Sequence, residues 1–165
     1  MNNPISAQEP DMLREYKALW SWCPSRSLLA SIRSYQRSAG SRNPLRVATR
    51  MLAVLRHRFW SVVTGADIPL NTRLGGGLLL PHPNGVVIHP DAVIGPNCLI
   101  FQQVTIGLGR GGTPRIGGHV DIGAGARILG AVAIGDHARI GANAVVLRDV
   151  SAGKTAMGVP AVIHD

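Results

Sequence analysis

His82 is the residue of this sequence best suited to proton transfer. It stands in the run Pro81-His82-Pro83-Asn84-Gly85, where prolines stiffen the chain on both sides. An imidazole titrates near neutral pH and can take a proton from a hydroxyl. A working base also needs a carboxylate on its second ring nitrogen, and Asp67 lies fifteen residues earlier. In a backbone that closes one turn every eighteen residues, this spacing sets Asp67 almost one turn below His82, close enough to touch it. The competing reading of His82 is an ordinary surface histidine. His89, His119 and His137 are further candidates, and the last two, eighteen residues apart, stack on successive turns. A zinc centre wants three protein ligands converging, so no metal is expected.

The eighteen-residue turn follows from a six-residue beat. Large aliphatic residues recur at Ile88, Ile94, Ile100 and Ile106, then at Ile116, Ile122, Ile128, Ile134, Ile140 and Val146, with Ile68, Leu74 and Leu80 leading in. Small residues such as Ala92, Cys98, Ala126 and Ala144 stand two places before, and Gly95, Gly117 and Gly135 are among the glycines that follow. A period of six suits neither a helix nor a half-buried strand. It is the hexapeptide repeat of a parallel β-helix, in which three short strands make one triangular coil. The beat predicts roughly four coils and a cap, stacked at about 4.8 Å. A β-sandwich would instead show turn signals every ~8 to 12 residues.

The beat breaks twice, with eight residues from Leu80 to Ile88 and ten from Ile106 to Ile116. Such insertions must leave the coil as loops, where function tends to sit. His82 is in the first.

Residues 1–66 have another texture and are expected to form an N-terminal helical region, with the β-helix and its cap over 67–165. Asp11 can cap a helix running to about residue 22, Pro24 and Ser25 read as a break, and a second helix is expected from Ser27 to about Ser38. Pro44 opens a third, which Gly65 ends. Its Ala48, Leu52, Leu55, Phe59 and Val62 share one face, expected to pack on the other helices or on a neighbouring subunit. Before Asp67 there are ten Lys or Arg and three Asp or Glu, so about +7 of the formal +8 lies here. Three readings compete for this charge: a solvated face, a surface for anionic lipid headgroups, or a nucleic-acid patch. Nothing else resembles a nucleic-acid module, and no such partner is expected. Two cysteines make no disulfide framework; Cys98 falls on an interior position and Cys23 has no evident partner. The 165 residues, 45% hydrophobic, suffice for a core. Residues 1–12 carry no leader-like apolar run, and no stretch is long enough to span a bilayer, so a soluble cytoplasmic protein is expected, with peripheral membrane contact through the basic helices as a further option.

Taken together, Asp67-Ile68, His82, Gly85-Val86-Val87-Ile88, Gln103-Val104-Thr105-Ile106-Gly107, the run from Ile122 to Gly130, Ile140-Gly141-Ala142 and Gly158-Val159-Pro160-Ala161 resemble the serine acetyltransferase branch of the left-handed β-helix acyltransferases. The resemblance covers about residues 10 to 163. It implies an all-β left-handed parallel β-helix with an N-terminal α-helical extension, and direct acetyl transfer from acetyl-CoA to a hydroxyl. His82 would be the general base and Asp67 would fix its tautomer. Ala124 and Ala142 would meet the pantetheine arm of the coenzyme, and Gly107 would leave room for it. A homotrimer with sites at the subunit boundaries is implied as well.

The sequence departs from that branch where the family holds serine. Charged positions of the family correspond here to Cys23 before Pro24, to Pro81, and to Gly112-Thr113 before Pro114. Losing charged contacts to a small zwitterion is costly, so the expected acceptor is a less charged hydroxyl compound, a sugar or polysaccharide intermediate. The alternatives are serine O-acetylation for cysteine biosynthesis and a non-catalytic trimeric assembly partner. Zinc chemistry of the γ-carbonic anhydrase type is a further rival, but the close histidine pair of that family is absent.

Overall fold

A computed structural model describes residues 5–18 and 20–165 of the chain. Residues 1–4, within the stretch read for a leader, and Leu19, within the expected first helix, lie outside the described residues.

Each hexad sends its aliphatic residue and the small residue two places earlier into the prism. Ile88, Ile100, Ile122 and Ile128 are buried there with Ala92, Cys98, Ala126 and Ala144. Each full burial of an Ile contributes about 1.5 to 3 kcal/mol, offset by the entropy of ordering the chain. The result is a left-handed parallel β-helix. One face stacks Val87–Ile88, Thr105–Gly107, Arg127–Leu129 and Val145–Val146, with Asp67 bridged below Val87. A second stacks Arg73–Leu74, Val93–Ile94, Arg115–Ile116 and Ala133–Ile134. The third runs from Leu99–Ile100 through Asp121–Ile122 and Arg139–Ile140 to Thr155–Met157, against which Val162–His164 closes antiparallel. This makes about five coils against the expected roughly four and a cap, because pairing continues past Val146 through Thr155–Met157.

The two insertions are visible as register. Val87 pairs with Thr105 and Arg115 with Ala133, eighteen residues on, but Arg73 pairs with Val93 and Val93 with Arg115, twenty and twenty-two on. The extra residues leave the coil as loops, as expected. Glycine is needed where coils touch at an edge: a Cβ on Gly95 would lie 2.5 Å from the carbonyl carbon of Gly117.

The helices differ from expectation in their starts. Asp11 does cap, accepting from the Leu13 amide at 3.0 Å, but only a 3-10 turn follows, Met12–Glu15. The chain then extends at Tyr16. Pro24 is no break; it is the first residue of α1, Pro24–Ser38, because a proline costs nothing where the helix needs no amide donor. The second long helix, α2, is Pro44–Thr64, capped by Asn43 and ended by Gly65 at φ 65°. Of the two packings expected of its apolar face, the one on the other helices is not made: within the chain α2 buries only Ala53 and Thr64, while Leu52, Leu55, Phe59 and Val62 are exposed. The contact with α1 and the prism uses the opposite side, where His57 Nε2 meets the Ile68 carbonyl oxygen at 2.8 Å. Arg33 locks α1 to the first coil through the carbonyls of Leu74 and Gly75, each at 2.6 Å, and pairs with Glu15 at 2.8 Å.

Residues 5–15 form a strap across one edge of the prism, organised by Asn97. This fully buried side chain donates to the carbonyls of Ser6 and Glu9 at 2.7 and 2.8 Å and accepts from the Asp11 amide at 2.8 Å. Its carbonyl accepts from Arg14. Asn97 has φ 60°, a left-handed shape that asparagine tolerates better than most residues. Asn97→Ala is expected to lower stability by about 2 to 4 kcal/mol, read as a fall in thermal midpoint, because it leaves several strap groups unpaired. Asn97→Gly, which relieves the left-handed backbone, should recover only a minor part. A wild-type melt for Asn97→Ala would show that the strap does not depend on it.

Candidate active site

His82 lines a cleft of about 350 Å³ bounded by Pro24 and Ser25 at the start of α1, Val63 and Thr64 at the end of α2, and Pro81, Pro83 and Asn84 of its own loop. The loop is seated by its neighbours in space: the Gly85 amide donates to the Gly65 carbonyl at 2.9 Å, and the Gln103 amide donates to the Asn84 carbonyl at 2.9 Å. The imidazole is exposed and makes no hydrogen bond among the described residues. It is the one ionisable side chain among the residues that line the cleft.

Asp67 is exposed on the bottom rung of the face that carries Val87 and makes no side-chain hydrogen bond among the described residues. The expected contact with His82 is therefore not made in this conformation. The register explains the offset: the inserted residues of the first loop set Asp67 beneath Val87, five positions beyond His82. The two share one region of the molecule without touching.

The small residues assigned to the coenzyme lie close by. The Gly125 amide donates to the Gln102 carbonyl at 2.9 Å and the Asn143 amide to the Ala124 carbonyl at 2.8 Å. One edge of the prism thus runs from the His82 loop through Gln102 and Gln103 to Ala124 and then Ala142. Gly107 ends the strand on the far side of the same face, opposite Leu129. A Cβ on Gly107 would stand 3.1 Å from Leu129 Cδ2, so a side chain there would crowd the face. Gln102 Oε1 is buried on this edge without a partner among the described residues. A bare edge with an orphaned acceptor suits an extended amide-bearing chain such as a pantetheine arm.

Sequence reasoning did not find Ser25, Thr64 or Gln102 as parts of this region, because none carries a spacing signal; each is placed by helix ends and coil stacking. Of the positions singled out where charges are missing, Pro81 lines the cleft, whereas Cys23, Gly112 and Thr113 do not, although Pro24 next to Cys23 does. Thr113 instead donates from Oγ1 to the Asp91 carbonyl at 3.2 Å. Cys98 is a packing residue whose thiol is pushed up to about 11 by burial. Cys23 Sγ lies 3.1 Å from Ser21 Oγ.

The family described as bacterial transferase hexapeptide (six repeats) matches residues 113–148. A serine acetyltransferase of Synechococcus elongatus is 42% identical over 104 residues, 60% of this chain and 42% of that protein. A probable serine acetyltransferase 4 of Oryza sativa subsp. japonica is 51% identical over 117 residues, 68% of this chain and 37% of that protein. Among solved structures, soybean serine acetyltransferase apoenzyme is 36% identical with a TM-score of 0.64, covering 84% of this chain and 69% of that one. A serine acetyltransferase in complex with CoA is 33% identical with a TM-score of 0.71, covering 87% and 58%. The chain spans about two fifths of the length of these curated relatives.

The His119 and His137 column forms as expected, with Nδ1 atoms 2.8 Å apart and rings crossing at 75°. Among the described residues no three His, Cys, Asp or Glu are grouped to hold a metal. One nitrogen of the pair must donate and the other accept, so protonating both sets two donors face to face. Burial holds the His119 imidazole below its ordinary range; Asp121 pulls the other way, and His137, Arg14 and Arg139 push it further down. The folded state then binds this proton less readily than the unfolded chain. Its contribution to stability is complete above the ordinary value of 6.5 and is lost as pH falls below it. The thermal midpoint should fall between about pH 7.5 and about pH 5.5, and His119→Asn, which keeps a left-handed turn, should flatten that fall. An equally steep fall in the variant would acquit the pair.

Proposed function

Because the chain belongs to the serine acetyltransferase branch of the left-handed β-helix acyltransferases, we propose that it transfers acetyl from acetyl-CoA to the hydroxyl of a small acceptor, with L-serine as the acceptor its relatives indicate. The observation that carries this reading is the shared edge. His82 stands at one end of a row of small residues, Ala124 and Ala142, on a face kept open by Gly107.

In the proposed reaction, His82 accepts the acceptor's hydroxyl proton as the oxygen attacks the thioester carbonyl. The carbon–sulfur bond then breaks, and CoA leaves as the thiol with that proton. No acyl-enzyme is needed. Asp67, with no hydrogen bond to the ring in this conformation, would meet the ring and fix its tautomer when substrates draw the loop in. Catalytic contacts often tighten only in the loaded complex. The three small residues would take the coenzyme's arm, and the active assembly would be a homotrimer.

One observation supports a second acceptor class. Apart from His82, the residues lining the cleft carry no charge to hold an amino acid's ammonium or carboxylate. This favours an uncharged hydroxyl compound such as a sugar, although the names of the relatives favour serine. Release of CoA thiol from acetyl-CoA, with serine, sugars and nucleotide sugars offered in parallel, separates the two.

His82→Ala should cut turnover by roughly 10² to 10⁴ and leave coenzyme binding intact; equal turnover would remove His82 from the chemistry. Asp67→Asn should act in the same direction by a smaller factor, and a fully active variant would remove that role.

A further inference from the structure

The exposed side of α2 is a continuous apolar stripe. Leu45, Leu52, Leu55, Phe59 and Val62 follow steps of seven, three, four and three residues, and all are more than half exposed, Val62 at 84%. They lie across the helix from Ala53 and His57, which face the body of the protein. The helix has 21 residues, so the stripe is about 30 Å long. Isolated apolar residues on a surface are ordinary, but a strip of this length marks a contact.

Charge identifies what it meets. From residue 16 to residue 66 there is no Asp or Glu, while nine Lys or Arg fall in the same stretch. Arg56 and Arg58 are exposed, on opposite flanks of the stripe by helical geometry. A second copy laid on this face would bring the same cations against it. An anionic bilayer surface supplies headgroups for the arginines and an acyl boundary for the stripe. Trp22, 73% exposed, packs edge-on against Trp60 at 5.5 Å, and Trp60 in turn meets Phe59 of the stripe edge-on at 5.0 Å. Among the described residues no helix is long and apolar enough to cross a membrane, so the contact is one of lying on the surface.

We propose that α2 docks this protein onto an anionic lipid surface, with its leucine and phenylalanine stripe in the headgroup and acyl boundary and its arginines on the phosphates. Val63, next to the stripe, also lines the His82 cleft, so docking holds the mouth of the cleft at the membrane surface.

The test is flotation of the full chain with vesicles of phosphatidylcholine alone or with about 30% phosphatidylglycerol. It needs no turnover, so it stands or falls apart from the acetyl-transfer reading. The expected result is binding to the anionic vesicles that weakens as salt rises. Leu55→Gln with Phe59→Gln should weaken it at least about tenfold, with an unchanged thermal midpoint and unchanged mass by light scattering. Arg56→Gln with Arg58→Gln should weaken it several-fold. No binding to anionic vesicles would overturn the proposal. So would binding that ignores the Leu55 and Phe59 changes, which would be charge attraction alone. A drop in mass in that variant would overturn it too, by assigning the stripe to a second copy.

Discussion

The interaction on which this structure depends is the backbone hydrogen bond between equivalent residues of successive coils. Val87 donates to Val104, Thr105 to Ala126 and Arg127 to Ala144, and the same ladder recurs on the other faces. Because each strand is only two or three residues long, no strand holds by itself; each is stable because the coil below has already set its place. This constraint fixes what the sequence must do. Two side chains in each hexad fill a prism too narrow for aromatics, and edge positions must stay small enough for the next coil to sit down.

The same constraint explains where the departures from regularity accumulate. A residue inserted into a coil cannot shift the ladder, since a slip would turn every interior side chain outward. Insertions therefore leave the prism, and the first of them carries His82 to the place where α1 begins and α2 ends. The strap of residues 5–15 depends on stacking too: the Asn97 amide is held by the Gly76 carbonyl one coil below, which frees its side chain to take the strap.

Much of the fold was legible because a period of six has one good solution. Every predicted interior position from Ile68 to Val146 is buried, and both loops fall where the beat breaks. Less legible were contacts that join distant parts of the chain. Nothing in the local sequence says that Asn97 receives the strap, or that Arg33 reaches the first coil. Helix starts were misjudged because Pro24 reads equally as a break and as a first turn. The site was legible in its residue types and not in its geometry. His82 could be named from its loop, but its separation from Asp67 depends on register, and register depends on how the inserted residues leave the coil.

The neutrality of the cleft bears on which acceptor suits it. Its wall includes the first two residues of α1, a helix with no acidic residue in its first turn and no side-chain cap, so the positive end of its dipole stands uncompensated beside His82. Such an end favours a carboxylate or a hydroxyl oxygen and disfavours an ammonium group. Serine brings both a carboxylate and an ammonium, and only the first finds a complement here. A hydroxyl compound without the ammonium loses nothing in this cleft, since Ser25, Thr64 and Asn84 offer neutral polar groups. The electrostatics of the cleft therefore complement a carboxylate or a neutral hydroxyl and leave an ammonium without a partner. Both properties come from one feature of the wall, in which Pro81 and Pro83 flank the histidine and Ser25, Thr64 and Asn84 supply polarity without charge.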